Sequence, residues 1–156
     1  MQFPNDYQPA WWPAEDVVVD MVQLELDRCN PGGYACTWLP RAGGSEVGAE
    51  ARIERGEAIV RVHAMPGALF ERKLRYTPIQ LEVLASRRDV SMQTFEFLSD
   101  VLCEKYRDGG PVPRADGSST PIRGFHVSET QQELVFTDPD DRLVQGTFTL
   151  ATGKRH

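Results

Sequence analysis

Cys29 and Cys36 stand on either side of Asn30-Pro31-Gly32-Gly33, a segment with the residue types of a tight turn. In a hairpin closed by that turn, Cys29 falls opposite Tyr34 and Cys36 opposite Asp27. The two thiols are then diagonal neighbours on one face, the separation from which a disulfide or half of a metal site is built. A structural zinc site needs four ligands, usually in close-spaced pairs, and no CxxC or HxxxH supplies the rest. The expectation is therefore ordinary packed cysteines and no metal. With 3 cysteines at least one thiol stays unpaired, which fits a reducing compartment better than a disulfide framework.

His63 and His126 are the internal histidines, and His156 is terminal. A general base needs an orienting partner and a reacting group within hydrogen-bond reach. Neither histidine stands in a nucleophile motif, no Gly-x-Ser-x-Gly is present, and Cys103 falls inside a helical apolar pattern where packing is its use. Asp138, Asp140 and Asp141 gather oxygen ligands without the other acids, the central glycine and the closing glutamate of a calcium loop. The pairs Gly32-Gly33, Gly43-Gly44 and Gly109-Gly110 lack the lysine and hydroxyl of a phosphate loop. These residues point to no reaction and no cofactor.

Aromatic residues carry the remaining signals. Trp11 and Trp12 are adjacent in an arm punctuated by Pro4, Pro9 and Pro13, where prolines hold the chain extended. Neighbouring side chains of an extended segment point oppositely, so one indole can cover the domain while the other faces outward as a partner-binding residue. A second set, Tyr34, Trp38, Phe70 and Tyr76 with Arg72 and Arg75, is expected on one sheet face, where it could hold a small aromatic or acidic ligand or simply be core.

The composition of the 156 residues is that of a globular domain, 40% hydrophobic and 26% charged. A formal net charge of −6 and the absence of a basic tail or stripe argue against nucleic acid as partner. No stretch is apolar enough to span a bilayer, and Met1 to Asp6 carries neither the basic start nor the apolar run of an export signal. The expectation is a cytoplasmic protein that does not engage membranes.

Along the chain, residues 1–13 read as an extended arm. Asp16 to Leu39 reads as a hairpin, the β-branched Val17-Val18-Val19 favouring a strand over a competing helix for residues 16–28. Val47 to Ala64 reads as a second hairpin turning at Arg55-Gly56-Glu57, followed by a strand over Leu69 to Tyr76. Thr77-Pro78-Ile79-Gln80 matches a capping box and predicts a short helix. Ser91 opens the main helix, with Met92, Phe95, Leu98, Val101, Leu102 and Tyr106 at helical spacing and a stop at Asp108-Gly109-Gly110. Residues 108–121 read as a mobile loop. Strands follow over Ile122–Ser128, Glu133–Thr137 and Arg142–Ala151, the last two joined by a turn at Asp138 to Asp141.

The predicted fold is thus α+β: one domain over 1–156, a curved antiparallel sheet or open barrel of about six to eight strands, packed by one main helix and one short one. The leading function is a non-enzymatic protein-binding module (an adaptor, regulator, neutralising partner or assembly factor) whose partner is another protein or a second copy in a homodimer. It rests on Trp11, Trp12 and sheet edges open to another chain. The alternative is a β-barrel-like protein that binds a small molecule, with or without catalysis, on the aromatic–arginine face.

Overall fold

The computed structural model describes residues 2–43, 46–128 and 142–155. The expected strand at Glu133–Thr137, the aspartate turn at Asp138 to Asp141, and His156 lie outside the described residues.

Ala14, Val17, Val18, Met21, Val22, Glu25 and Leu26 recur at the period of a helix, and all seven are buried. They form one face of α1 (Ala14–Leu26), which starts after Pro13 with Glu15 and Asp16 in its first turn, where acids oppose the helix dipole favourably. This corrects the strand expected for residues 16–28. The β-branched run weighs less than the buried face with its six apolar residues, because packing dominates propensity. The Asn-Pro-Gly-Gly segment accordingly joins a helix to a strand, β1 (Gly33–Cys36).

The second expected hairpin is also corrected. Residues Ala49–Glu54 are a short helix, α2, of the good helix formers alanine, glutamate and arginine. It carries the chain from β1 to β2 (Ala58–Ala64), which lies parallel to β1. The chain continues through β3 (Leu69–Glu71) into β4 (Leu74–Leu84), an 11-residue strand that absorbs the helix expected after Thr77. Ile79, Leu81 and Val83 alternate with Gln80 and Glu82, a period of two that outweighs the capping signature. Pro78 is tolerated because β2 ends opposite Ile79 and β3 begins opposite Tyr76. Its missing N–H therefore falls in the gap between two partners, where its carbonyl still accepts from Met65 N–H at 2.8 Å.

The main helix, α3 (Arg88–Tyr106), starts three residues earlier than Ser91. Ser91 is instead a buried tie: its Oγ accepts the N–H of Ala85 at 3.0 Å, fixing the helix to the end of β4. Past the helix, Gly109 has φ +81, and a Cβ there would meet the Ile122 carbonyl oxygen at 2.4 Å, so only glycine fits. Residues 108–121, read as a loop, contain β5 (Gly110–Pro113) and the start of β6 (Ser119–Val127), paired as a hairpin. The last strand is β7 (Leu143–Gly153).

The strands join in the order β1-β2-β4-β7-β6-β5, with β3 also on β4, as a curled open half-barrel. Apart from the parallel β1–β2 pair, neighbours are antiparallel. The helices α1 and α3 pack on one face, over Val60, Val62, Ile79, Leu81, Val83, Phe148 and Leu150. Phe148 stacks on Phe125 at 5.1 Å and meets Phe95 at 5.9 Å. The opposite face carries Arg61 bonded to Glu82 (2.6 Å from Nε) and Gln80 bonded to Gln145 (2.8 Å).

The outer strands are less open than expected. The Gln23 amide of α1 donates to the Gly33 carbonyl (3.1 Å) and accepts the Ala35 N–H (2.8 Å), occupying the outer edge of β1 as a neighbouring strand would. Glu15 takes the Ala64 N–H in the same way at 2.8 Å. On the other side, Pro111 and Pro113 have no N–H to offer.

Candidate functional site

Two surface regions gather the aromatic residues, and they lie at opposite ends of β4. At the first end, the turn between β3 and β4 projects with Arg72 at φ 53 and Lys73 exposed beside it. The arm closes on this hairpin. Trp11 bridges to Lys154, and the Arg155 N–H donates to the Ala10 carbonyl at 2.9 Å. Trp12 packs on the core cluster, with the Arg155 guanidinium 4.1 Å from its ring centroid. Trp11 instead meets Phe70 edge-on at 5.6 Å. Both indoles are half-buried, so the residues that project are Leu69 (70% exposed) and Phe70 (63% exposed).

This end is basic. Arg72, Lys73 and Arg75 come from the hairpin, and the Lys154 N–H bonded to the Lys73 carbonyl at 3.2 Å brings Lys154 and Arg155 alongside. Arg75 lies 5.8 Å from the Phe70 ring, and its Nε is buried without a hydrogen-bond partner. The nearby acids are Glu71 and Glu15, and the Glu15 carboxylate is already committed to the Ala64 N–H.

At the other end, β1, α2 and residues 38–42 enclose an open basin of about 1100 Å³. Tyr34 and Arg61 line it, and Trp38 stands on it at 82% exposure, with Leu39 beside it. Arg52 caps Tyr34 at 4.1 Å from the ring centroid and donates to Glu57 at 2.9 Å. The remaining charges of the basin are mostly acidic: Glu46, Glu50 and Glu54 are exposed and take part in no ion pair among the described residues, against a single exposed cation, Arg41. Arg61 is neutralised by Glu82.

The expected aromatic–arginine face is therefore divided. Tyr34 pairs with Ile59 and so with Leu84, while Phe70 pairs with Arg75. Nine residues of β4 separate those levels, roughly 30 Å at the rise of a strand. Paired residues share a face, which puts Phe70 and Arg75 on the helix side with Thr77 and Ile79, and Tyr34 and Tyr76 on the other. Trp38 belongs to the basin and Arg72 to the hairpin turn.

Among the described residues, the reactive residue types do not assemble. His63 on β2 and His126 on β6 are three strands apart, about 14 Å across the sheet. Cys29, Cys36 and Cys103 form no disulfide, and no cluster of three or more metal-ligating side chains occurs among the described residues. Burial pushes the thiols of Cys36 and Cys103 up, away from the reactive thiolate. No helix among the described residues is long and apolar enough to cross a membrane.

Residues 10–156 match the family model described as phage tail termination protein. The chain belongs to that family. The match begins one residue before Trp11, so both indoles and the two aromatic ends fall inside the shared region, whereas Phe3 and Tyr7, stacked at 5.3 Å, fall outside it. Among curated proteins, none matches the sequence significantly.

Sequence reasoning reached Trp11, Trp12, Tyr34, Trp38, Phe70, Arg72 and Arg75 as surface candidates but missed how they are grouped. It missed the acidic basin because Glu50 and Glu54 read as the outward positions of a strand. It missed the basic end because Lys154 and Arg155 join the hairpin only through pairing across about 80 residues of sequence. The run Arg72-Lys73-Leu74-Arg75 was the available signal.

Proposed function

We propose that this chain is a non-enzymatic phage assembly factor that acts at tail termination by binding other proteins through the two aromatic ends of its sheet. The family match over residues 10–156 carries the reading. The arrangement of the surface supports it: apolar side chains project at Leu69, Phe70, Trp38 and Leu39, each group ringed by charge, as at protein interfaces. In this reading Trp11 and Trp12 act in partner binding by fixing the hairpin that presents Phe70. A ligand touching all of Tyr34, Trp38, Phe70, Arg72, Arg75 and Tyr76 would have to span roughly 30 Å along the sheet, which suits a protein partner and not a small molecule. Assembly in the cytoplasm of a host cell follows from the same reading.

The test is genetic. The phage or prophage that encodes the chain, deleted for its gene, is expected to give tails of uneven length or tails not joined to heads by electron microscopy, restored by the gene supplied in trans. Particles with normal tails after a clean deletion would exclude a role in tail termination.

A further inference from the structure

The basin beside β1 has fixed walls and an unmet negative charge. Residues 38–42 are fastened to the start of α2. The Ala49 N–H donates to the Pro40 carbonyl at 3.0 Å, and a Cβ on Gly48 would meet the Ala42 nitrogen at 2.9 Å. Two of the cations beside the basin are consumed within the chain, Arg61 by Glu82 and Arg52 by Glu57 and the Tyr34 ring. Glu46, Glu50 and Glu54 take part in no ion pair among the described residues, and Arg41 alone opposes them. Glu50 and Glu54 are four residues apart in α2 and both line the basin, and like charges at that spacing disfavour a helix. Trp38 stands beside them at 82% exposure. From these observations we infer that the basin receives an extended, cationic segment of another protein. This inference rests on the assembly reading above and names the chemistry of the partner at this end of the sheet.

The geometry fits such a segment. Residues four apart on a helix have Cβ atoms about 5–6 Å apart. Alternate side chains of an extended chain are about 7 Å apart. Two successive basic side chains on one face of the segment can therefore meet Glu50 and Glu54 one to one. A further guanidinium or ammonium can lie over the Trp38 ring, as Arg52 already lies over Tyr34 at 4.1 Å. The basin is open and about 1100 Å³ in volume. Small-molecule pockets run from roughly 300 to 1,000 Å³ and enclose most of their ligand, so an open site of this size suits a length of peptide better. Binding would relieve the repulsion between Glu50 and Glu54 and cover the most exposed aromatic ring of the basin. The formal net charge of −6 favours approach of a cationic partner, and the Arg61–Glu82 and Arg52–Glu57 pairs keep the basin's own cations from repelling it.

The full-length chain is titrated against a blocked, dye-labelled peptide of alternating arginine and alanine, read by fluorescence anisotropy, with circular dichroism as the control for folding. The wild type is expected to bind, and to bind more weakly as salt is added. Unlabelled peptide is expected to change the tryptophan emission, and Trp38→Phe to abolish that change. The basin variant E50Q/E54Q is expected to lower the affinity about fivefold or more. The variant E96Q/D100N removes the same charge from exposed positions of α3 and is expected to bind as wild type does. Peptides in which glutamate or serine replaces arginine are expected not to bind. No binding of the arginine peptide overturns the inference. So does equal binding of the serine peptide, an emission change that survives Trp38→Phe, or an equal loss in the two charge variants, which would make net charge and not the basin responsible. None of those results touches the assembly role itself, which the gene deletion tests separately and which the hairpin end could still fulfil.

Discussion

Glu25 is a carboxylate almost wholly removed from solvent on the inner face of α1, and it accepts from Lys105 at 2.8 Å and from Arg28 at 2.5 Å. Burial by itself would raise its pKa. The hydrogen bonds from Lys105 and Arg28, with their charges, outweigh burial and hold the carboxyl below its ordinary value. The Lys105 ammonium is shifted upward, chiefly by the same bond to Glu25. The pair therefore favours the folded state at pH values above the free carboxyl, near 4.3, and below the free ammonium, near 10.4. Towards acid the contribution fades as pH falls through the depressed carboxyl; towards alkali it fades as pH rises through the elevated ammonium. Lys105→Met is expected to cost about 1–2 kcal/mol at neutral pH, the charge remaining on Arg28 limiting the loss. Urea midpoints of wild type and variant should converge below about pH 4. Equal midpoints at pH 7 would mean the ion pair contributes nothing. Sequence alone could not reveal this tie. Glu25 scores as an outward polar residue in a strand, and Lys105 lies 80 positions away on another helix.

At the level of elements, the sheet half of the fold was legible where a strand has one buried face and a plain turn, as over Ala58–Ala64, and the main helix was legible from its apolar spacing. Misreading concentrated where local signals and tertiary partners disagree. Thr77-Pro78 looks like a helix start until β7 is known to lie along the whole of β4. Val17-Val18-Val19 looks like a strand until the face completed by Met21, Val22 and Leu26 finds the sheet. A consequence of α1 being a helix is that Gln23 can shield the edge of β1. Gln23→Ala is expected to remove two hydrogen bonds at a half-buried edge and to cost about 1 kcal/mol by chemical denaturation. It is also expected to speed aggregation on mild heating, because Gly33 and Ala35 then present bare strand groups. An aggregation rate identical to wild type at matched stability would show that the amide does not protect this edge.

The whole molecule depends on how its N-terminal arm meets its C-terminal strand. Residues 2–9 are exposed, and Phe3 and Tyr7 stack on each other. From Ala10 onward the arm is bonded to Arg155, bridged to Lys154 and packed on the core through Trp12. The family match starts at this boundary, at residue 10. Two truncations separate the arm's parts. Loss of residues 1–9 is expected to leave stability unchanged. Loss of residues 1–13 removes both indoles and the residue that leads into α1, and is expected to cost about 2–3 kcal/mol, below the value for a fully buried tryptophan because both are only half-buried. It also removes the edge-on partner of Phe70, so the β3–β4 hairpin should lose its fixed pose. If the longer truncation stays as stable as wild type, the indoles do not hold the fold together and serve a partner directly. If stability falls, and the full-length variant Trp11→Phe keeps it, the indoles act by holding the hairpin, as the packing of Trp11 against Phe70 implies.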